Sequence, residues 1–147
     1  MRTKEKEMAI FLDQIFPQIQ GRFEIAELYE SGALVKMKII NDDLRPGNTV
    51  SGPSMFSLAD ISFYVAVLHN IGKEALAVTT GCSINFLRKP EADMLYGRAR
   101  LLKIGKVLIV GDVDIIDMKQ DQLVAHASMT YSRPPKTVKS GISLCDF

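Results

Sequence analysis

The sequence lacks several features that specialised proteins depend on. Its 147 residues include no tryptophan and only two cysteines. Cys82 and Cys145 are far apart and form no CxxC pair, which argues against a disulfide framework and favours reduced thiols in the cytoplasm. The longest uninterrupted apolar run, residues 63–68, is far shorter than the roughly 20 residues that cross a membrane. The N-terminus mixes acid and base without a continuous apolar segment, so we expect no signal peptide and no membrane partner.

Charge and metal-ligand patterns exclude further classes. Lys and Arg number 18 against 17 Asp and Glu, and no basic run is present, so a nucleic-acid partner is not expected. The two histidines, His69 and His126, have no metal-ligand spacing between them or with the cysteines, which predicts no metal site. The apolar content of 47% excludes disorder, and the length suits a single domain over residues 1–147.

The hydrophobic pattern predicts an α+β domain. Apolar residues at spacings of three and four predict an amphipathic helix that is capped by Thr3 and ends near residues 17–21. Alternation then predicts one or two strands within residues 23–40. Residues 55–68 are apolar on nearly every side of a helical wheel, which indicates a buried helix that ends at residues 70–72. Four strands are expected near residues 77–88, 94–103, 107–115 and 123–131, arranged as an antiparallel meander against this helix. Gly105 is expected to supply a positive φ in one hairpin turn.

Asp60 is the residue that this pattern singles out. It lies in the second turn of the apolar helix, where burying an uncompensated carboxylate costs several kcal/mol. Either Asp60 is functional, or it pairs with an arginine, or its side of the helix is solvated. Residues 47–52 lead into the helix N-terminus, which favours negative charge. Pro53 stands where a phosphate loop needs its lysine, and no GxSxG surrounds Ser51 or Ser54, so nucleotide hydrolysis and a serine triad are not expected.

These motifs resemble the hotdog-fold acyl-CoA thioesterases of the phenylacetate-pathway (PaaI) type over residues 11–133. Residues 47–53 with 58–60 are similar to the family pattern G-x-x-H-G-G followed by L-A-D, and residues 78–80, 84–90, 105–106, 123–125 and 130–131 add weaker matches. The resemblance implies an antiparallel sheet wrapped around a long central helix, with an extra N-terminal helix. Two positions differ from the family: Ser51 replaces its histidine, and Pro53 replaces its second glycine.

The resemblance also implies a reaction and a site. The Gly52 N–H would polarise the thioester carbonyl, Asp60 would act as general base or nucleophile, and Thr79 would orient water, with Ser51 at the position of the missing histidine. The implied substrate contacts comprise Asn48, a tunnel lining and a basic rim for the phosphates of coenzyme A. The proposed lining is Met55, Phe56, Phe63 and Tyr64, and the proposed rim is Arg88, Lys89, Lys106 and Arg133. The implied assembly is a homodimer or homotetramer with the site between subunits, and coenzyme A would enter only as part of the substrate.

Two other functions remain open at this point. A non-catalytic acyl-CoA-binding or assembly module is favoured by the missing histidine, but binding alone does not need Asp60 in an apolar helix. An acyl-thioester hydratase on the same fold would pair a histidine with the carboxylate, and neither His69 nor His126 is suitably placed.

Overall fold

A computed structural model describes residues 3–72 and 75–134. Two α-helices, two short 3₁₀ helices and eight strands follow one another along this part of the chain. The helices are α1 (Thr3–Ile15) and α2 (Gly52–Ile71), and the 3₁₀ helices are Pro17–Ile19 and Asn41–Asp43. The strands are β1 (Phe23–Tyr29), β2 (Gly32–Lys38), β3 (Leu44–Arg45), β4 (Thr49–Val50), β5 (Val78–Phe86), β6 (Met94–Ile104), β7 (Leu108–Asp117) and β8 (Gln122–Ser132). The predicted α+β class and the two helices are confirmed.

Six strands form one antiparallel sheet in the order β1-β2-β6-β7-β8-β5, and β3 pairs with β4 separately. The meander prediction is correct for β6 to β8 but wrong for β5, which pairs with β8 at the far edge rather than with β6. The central place beside β6 is taken by β2 through seven consecutive residue pairs. Within β5 only Thr79 and Ile84 are partly buried, as expected for an edge strand whose outer side has no partner strand in the described chain.

Helix α2 packs across the concave face of the sheet and forms the centre of the core. Its N-terminus is capped by Ser51, whose hydroxyl accepts the N–H of Ser54 at 3.3 Å, and Pro53 follows in the first turn. Gly72 ends the helix with a φ of 92°, which favours glycine. Among the described helices, α2 is the one whose length and composition would suit a membrane span. Most of its surface is buried inside the fold, as expected for a core helix.

Two glycines in the sheet let α2 approach closely. A Cβ on Gly97 would lie 2.1 Å from Ser62 Oγ, and a Cβ on Gly111 would lie 2.6 Å from Phe63 Cε2. Gly105, in contrast, has no positive φ, so that prediction is wrong. Glycine is needed at position 105 for a steric reason, because a Cβ there would lie 2.6 Å from the carbonyl oxygen of Leu108.

Helix α1 covers β1 and brings the chain over the middle of α2. Its buried residues include Met8 and Leu12, and Glu5 Oε1 accepts the N–H of Leu28 at 2.9 Å. The helix ends at Ile15, before Pro17, because proline disfavours helical geometry in the residue that precedes it. The Phe16 ring then packs edge-on against Tyr64 of α2, with centroids 6.5 Å apart. This contact fixes the end of α1 near Asp60.

Candidate active site

Two hydroxyl groups donate to one oxygen of the Asp60 carboxylate. Thr79 Oγ1 lies 2.5 Å and Tyr131 Oη 2.8 Å from Asp60 Oδ1. Tyr131 Oη is also 3.0 Å from the backbone carbonyl oxygen of Asp60. Within residues 3–72 and 75–134 no donor reaches Oδ2 and no lysine or arginine forms an ion pair with Asp60. The alternative of an arginine partner is therefore wrong, and Asp60 keeps one carboxylate oxygen available.

Burial, and next the charge of Asp60, raise the pKa of the Tyr131 hydroxyl above its ordinary value. The hydroxyl therefore stays protonated at neutral pH. Tyr131 is consequently a permanent hydrogen-bond donor to Asp60, never a competing negative charge.

Asp60 borders two adjoining cavities, of about 400 Å³ and about 540 Å³. Phe16, Gln18 and Ile61 also border both of them, so the segment that follows α1 lies between the two spaces. The first cavity is otherwise lined mainly by apolar side chains, and it reaches the start of β5 at Val78. The second extends towards β2, and its wall includes Arg22, Asp43, Phe56 and Ser57. Both volumes lie in the usual range of about 300–1,000 Å³ for small-molecule sites.

Gly52 lies beside a third cavity of about 350 Å³ at the other end of β5. Its N–H is at the first position of α2, and within the described chain it donates to no acceptor. The ring of Phe86, the last residue of β5, is directly beneath Gly52. Three cationic side chains border this cavity: Arg45, Arg88 and Lys89. Asp60 is not part of its lining, so within one chain the carboxylate and the free amide face separate cavities.

Asp43 holds the loop that leads into α2. Its Oδ1 accepts from Ser54 Oγ at 2.8 Å and from Arg22, and its Oδ2 accepts the Ile40 N–H at 2.8 Å. Ser54 Oγ is also 3.1 Å from Ser51 Oγ. Burial by itself raises the pKa of Asp43, but the hydrogen bonds from Ile40, Ser54 and Arg22 outweigh it and leave the pKa below its usual value. Ser51 thus serves as helix cap at the edge of this network, and it does not border the cavities that contain Asp60.

The sequence profile of the thioesterase superfamily matches residues 47–124, which include Gly52, Asp60 and Thr79. The chain belongs to this superfamily. A proposed thioesterase from a Silicibacter species has a similar structure, with 48% identity, a TM-score of 0.82 and coverage of 89% of this chain and 92% of that one. The E. coli PaaI protein from the phenylacetic acid degradation operon is 26% identical, with a TM-score of 0.76 and coverage of 92% and 97%.

A thioesterase from Haemophilus influenzae shares the fold, with a TM-score of 0.81 at 16% identity and coverage of 95% and 96%. No curated protein matches the chain. The predicted hotdog fold, with its sheet around a central helix and an extra N-terminal helix, is confirmed, and the protein is a thioester hydrolase.

Only some of the site residues that were predicted from the sequence lie together in the structure. Asp60, Thr79 and Tyr64 border the first cavity and Phe56 the second, while Gly52, Met55, Arg88 and Lys89 border the third. The prediction that Phe63 lines the acyl tunnel is wrong. Phe63 is 0% exposed and packs against the sheet, so it lines no tunnel within the described chain. Asn48 is an exposed loop residue with a φ of 60°. Lys106 and Arg133 lie at the β6–β7 hairpin, where Arg133 Nη1 donates to the Gly105 carbonyl at 3.2 Å.

Sequence reasoning did not identify Tyr131 or Asp43 as site residues. A signal for Tyr131 existed, because β8 alternates and places Tyr131 on the same inward face as Ala127 and Met129. A buried tyrosine hydroxyl needs a partner, and a carboxylate on the facing helix is a strong candidate. Phe16 and the Arg22–Asp43 pair had no comparable signal, because their positions depend on how α1 crosses α2.

We expect the thioesterase to lose stability in an Asp43→Asn variant. At pH 7 the free energy of unfolding should fall by about 1–3 kcal/mol, since hydrogen bonds to a charged group are weakened. A carboxylate whose folded-state pKa is lowered stabilises the fold above its unfolded pKa of about 3.9, and this contribution is lost as the pH falls through the folded value. The difference between wild type and variant in urea unfolding should therefore persist at pH 5 and shrink below about pH 4.

The matched control is Asp42→Asn, because Asp42 is the exposed neighbour in the same 3₁₀ helix. It should change stability by less than about 0.5 kcal/mol. Equal losses in the two variants would contradict the specific role of Asp43.

Proposed function

We propose that this thioesterase hydrolyses a small, aromatic or medium-chain acyl-CoA, with Asp60 as the general base or the nucleophile. The observation that carries the proposal is the Asp60 carboxylate itself. It borders two cavities, receives two donors on Oδ1, and has no counter-charge within the described chain. Such a carboxylate can act on water or on a carbonyl carbon.

Two routes lead to the same products. As a general base, Asp60 takes a proton from water while the water oxygen bonds to the thioester carbon. The C–S bond then breaks, and the proton passes from Asp60 to the leaving thiolate to give coenzyme A. As a nucleophile, Asp60 bonds to that carbon and displaces the thiolate, and water hydrolyses the resulting mixed anhydride. In both routes negative charge develops on the carbonyl oxygen, so both need a donor at that position.

The Gly52 N–H is the donor that we assign to the carbonyl oxygen, and it would come from a second subunit. β5 pairs with β8 on one side, and within the described chain its other side is unpaired, which leaves a template for another strand. If β5 pairs antiparallel with its own copy about Cys82, Val78 and Thr79 lie opposite Phe86 and Asn85 of that copy. Thr79 contacts Asp60 and Phe86 contacts Gly52. The pairing would therefore bring Asp60 of one subunit to Gly52 of the other.

The surface of β5 supports this homodimer. Val78 and Phe86, at its two ends, are 57% and 49% exposed, and Leu87 beyond it is also exposed. Burying them would add apolar area to a continuous sheet. A tetramer of two such dimers is compatible with the same site.

The basic residues support coenzyme A as the leaving group. Arg88, Lys89 and Arg45 lie at the Phe86 end of β5, in the cavity of Gly52. Arg133 lies at the Val78 end, since Ser132 pairs with Val78, and Lys106 is in the adjacent hairpin. In one chain the two sets of cations lie at opposite ends of β5. The proposed dimer would place the Phe86-end set of one subunit beside the Val78-end set of the other, on one rim. Several cations at one mouth suit the phosphates of coenzyme A.

We propose that the acyl group binds in the first cavity and that the enzyme is cytoplasmic. The first cavity has apolar walls that include Ile15, Tyr64 and Ala77, whereas the second contains the Arg22–Asp43 ion pair. Cys82 is a free, exposed thiol, which is typical of a reducing compartment.

The test is thiol release from a panel of small, aromatic and medium-chain acyl-CoAs by wild type and by Asp60→Asn. We expect hydrolysis by wild type and a loss of at least about 100-fold in kcat for the variant, since a positioned general base contributes about 10²–10⁴-fold. Asparagine keeps the size of the side chain, so the thermal midpoints should be similar.

Saturable acyl-CoA binding without thiol release would contradict hydrolysis and indicate a binding module. Hydration of an enoyl-CoA without thiol release would indicate a hydratase. The structure gives no support to the latter, because His126 lies 3.0 Å from Asp112 on the outer face of the sheet and His69 borders a different cavity.

A further inference from the structure

We propose that Tyr131 is a positioning residue for thioester hydrolysis: with Thr79 it fixes Asp60 Oδ1, so that Oδ2 is the oxygen that reacts. This inference rests on the proposed role of Asp60. It assigns different tasks to the two carboxylate oxygens, and it assigns a function to a residue that would otherwise count as core.

A single register pair supplies both donors. Thr79 of β5 and Tyr131 of β8 are directly opposite each other in the antiparallel ladder, and both side chains point towards α2. Directly opposite residues in such a ladder have Cβ atoms about 4.5–5.5 Å apart. The two hydroxyls can therefore converge on one oxygen atom, and backbone hydrogen bonds fix their separation.

The Tyr131 ring is held so firmly that its hydroxyl arrives from one direction. Tyr131 is 2% exposed, and its ring centroid is 5.1 Å from that of Phe63 and 6.2 Å from that of Tyr64. The donor position is thus set by the core rather than by a mobile side chain. Preorganised donors of this kind keep a reacting group in place without reorganisation during the reaction.

Fixing one oxygen matters because a free aspartate carboxyl rotates broadly about its last bond and presents either oxygen. Two donors on Oδ1 remove this equivalence. Oδ2 then keeps its lone pairs, accepts no hydrogen bond within the described chain, and belongs to a residue that borders both cavities. It can take the proton from water, or bond to the thioester carbon, without first breaking an interaction with Thr79 or Tyr131.

The experiment compares Tyr131→Phe with wild type on the best acyl-CoA substrate. Phenylalanine keeps the ring and its packing and removes only the hydroxyl. We expect kcat to fall about 10- to 100-fold, as for the loss of a hydrogen bond to a charged group, while KM changes less than about threefold. The control is Tyr29→Phe, which removes a hydroxyl bonded to the backbone carbonyl of Ala33 far from Asp60. It should leave both constants unchanged.

A double-mutant cycle with Thr79→Val separates positioning from packing. Either donor alone still holds Oδ1 in part, whereas without both the carboxyl is free to rotate, so the loss of kcat in the double variant should exceed the product of the two single losses. A crystal structure of Tyr131→Phe should show the Asp60 carboxyl in a changed or divided orientation.

The outcomes are distinguishable from a failure of the proposed function. If wild type hydrolyses acyl-CoA and Asp60→Asn does not, but Tyr131→Phe keeps the wild-type kcat, the positioning role alone is overturned. It is also overturned if kcat falls only in proportion to a loss of folded protein, or if the two single losses simply multiply. An Asp60→Asn variant with wild-type activity would overturn both proposals.

Discussion

A Gly52→Pro variant is expected to lose thioester hydrolysis by about 100- to 1,000-fold in kcat, since one oxyanion donor is worth about 2.7–4 kcal/mol in the transition state. Proline removes the N–H at position 52, and Ser51 before it already has the extended geometry that a following proline requires, with φ −72° and ψ 153°. This is the first residue of α2, where proline is well tolerated because the N–H has no partner inside the helix. The measurement is kcat for acyl-CoA hydrolysis, with thermal unfolding to verify the fold.

The matched control is Gly52→Ala, which adds a Cβ but keeps the N–H. This Cβ would lie 3.2 Å from Phe86 Cζ, at the far end of the ring, so a shift of a few tenths of an ångström accommodates it. Alanine should therefore cost less than about tenfold in kcat. If the two variants lose activity equally, the contact with Phe86 would explain the effect and the Gly52 amide would not be the donor.

The sequence is most informative where one element carries its own signal. Helix α2 was predictable because residues 55–68 are apolar on nearly every side, and a helix of that kind is buried. Asp60 stood out for the same reason, as an ionisable group in that apolar segment. The strands of the meander were predictable from their alternation, although the turn at Gly105 depends on a close approach to Leu108 rather than on a positive φ.

The sequence is least informative where the site depends on how separate elements meet. The place of β5 at the sheet edge follows from the pairing of β2 with β6, which no local pattern of β5 reveals. Tyr131 and Thr79 are 52 residues apart in the chain, and only the register of β5 against β8 brings them to one carboxylate oxygen. The two cavities beside Asp60 likewise depend on Phe16, whose position is set by the packing of α1 on α2.

Ser51 shows how a substituted family position can change the local structure. The resemblance assigned it the place of a histidine near the substrate, and that role stays a prediction. In the structure its hydroxyl caps α2 and contacts Ser54, which in turn donates to Asp43. The start of α2, and with it the Gly52 N–H, is therefore held by Ser51, Ser54 and Asp43, and the last two also border the second cavity of Asp60.

Mixed dimers of Asp60→Asn and Gly52→Pro subunits should regain activity that neither variant has alone. If Asp60 and Gly52 act from different subunits, a mixed dimer contains one site in which both residues are intact and one site in which both are altered. Random pairing at equal amounts makes half of the dimers mixed, so about one quarter of the wild-type activity should return. Co-expression of the two chains with different affinity tags, followed by purification on both tags, raises the expected value to about one half.

The controls are each variant co-expressed with a differently tagged copy of itself, which should stay at the activity of the single variant. Isolation on both tags measures subunit association independently of activity, so an inactive mixed dimer is interpretable. If the doubly purified dimers have no more activity than the controls, Asp60 and Gly52 do not complete one site from different subunits. That result would contradict the pairing of β5 with its copy as the arrangement that completes the site.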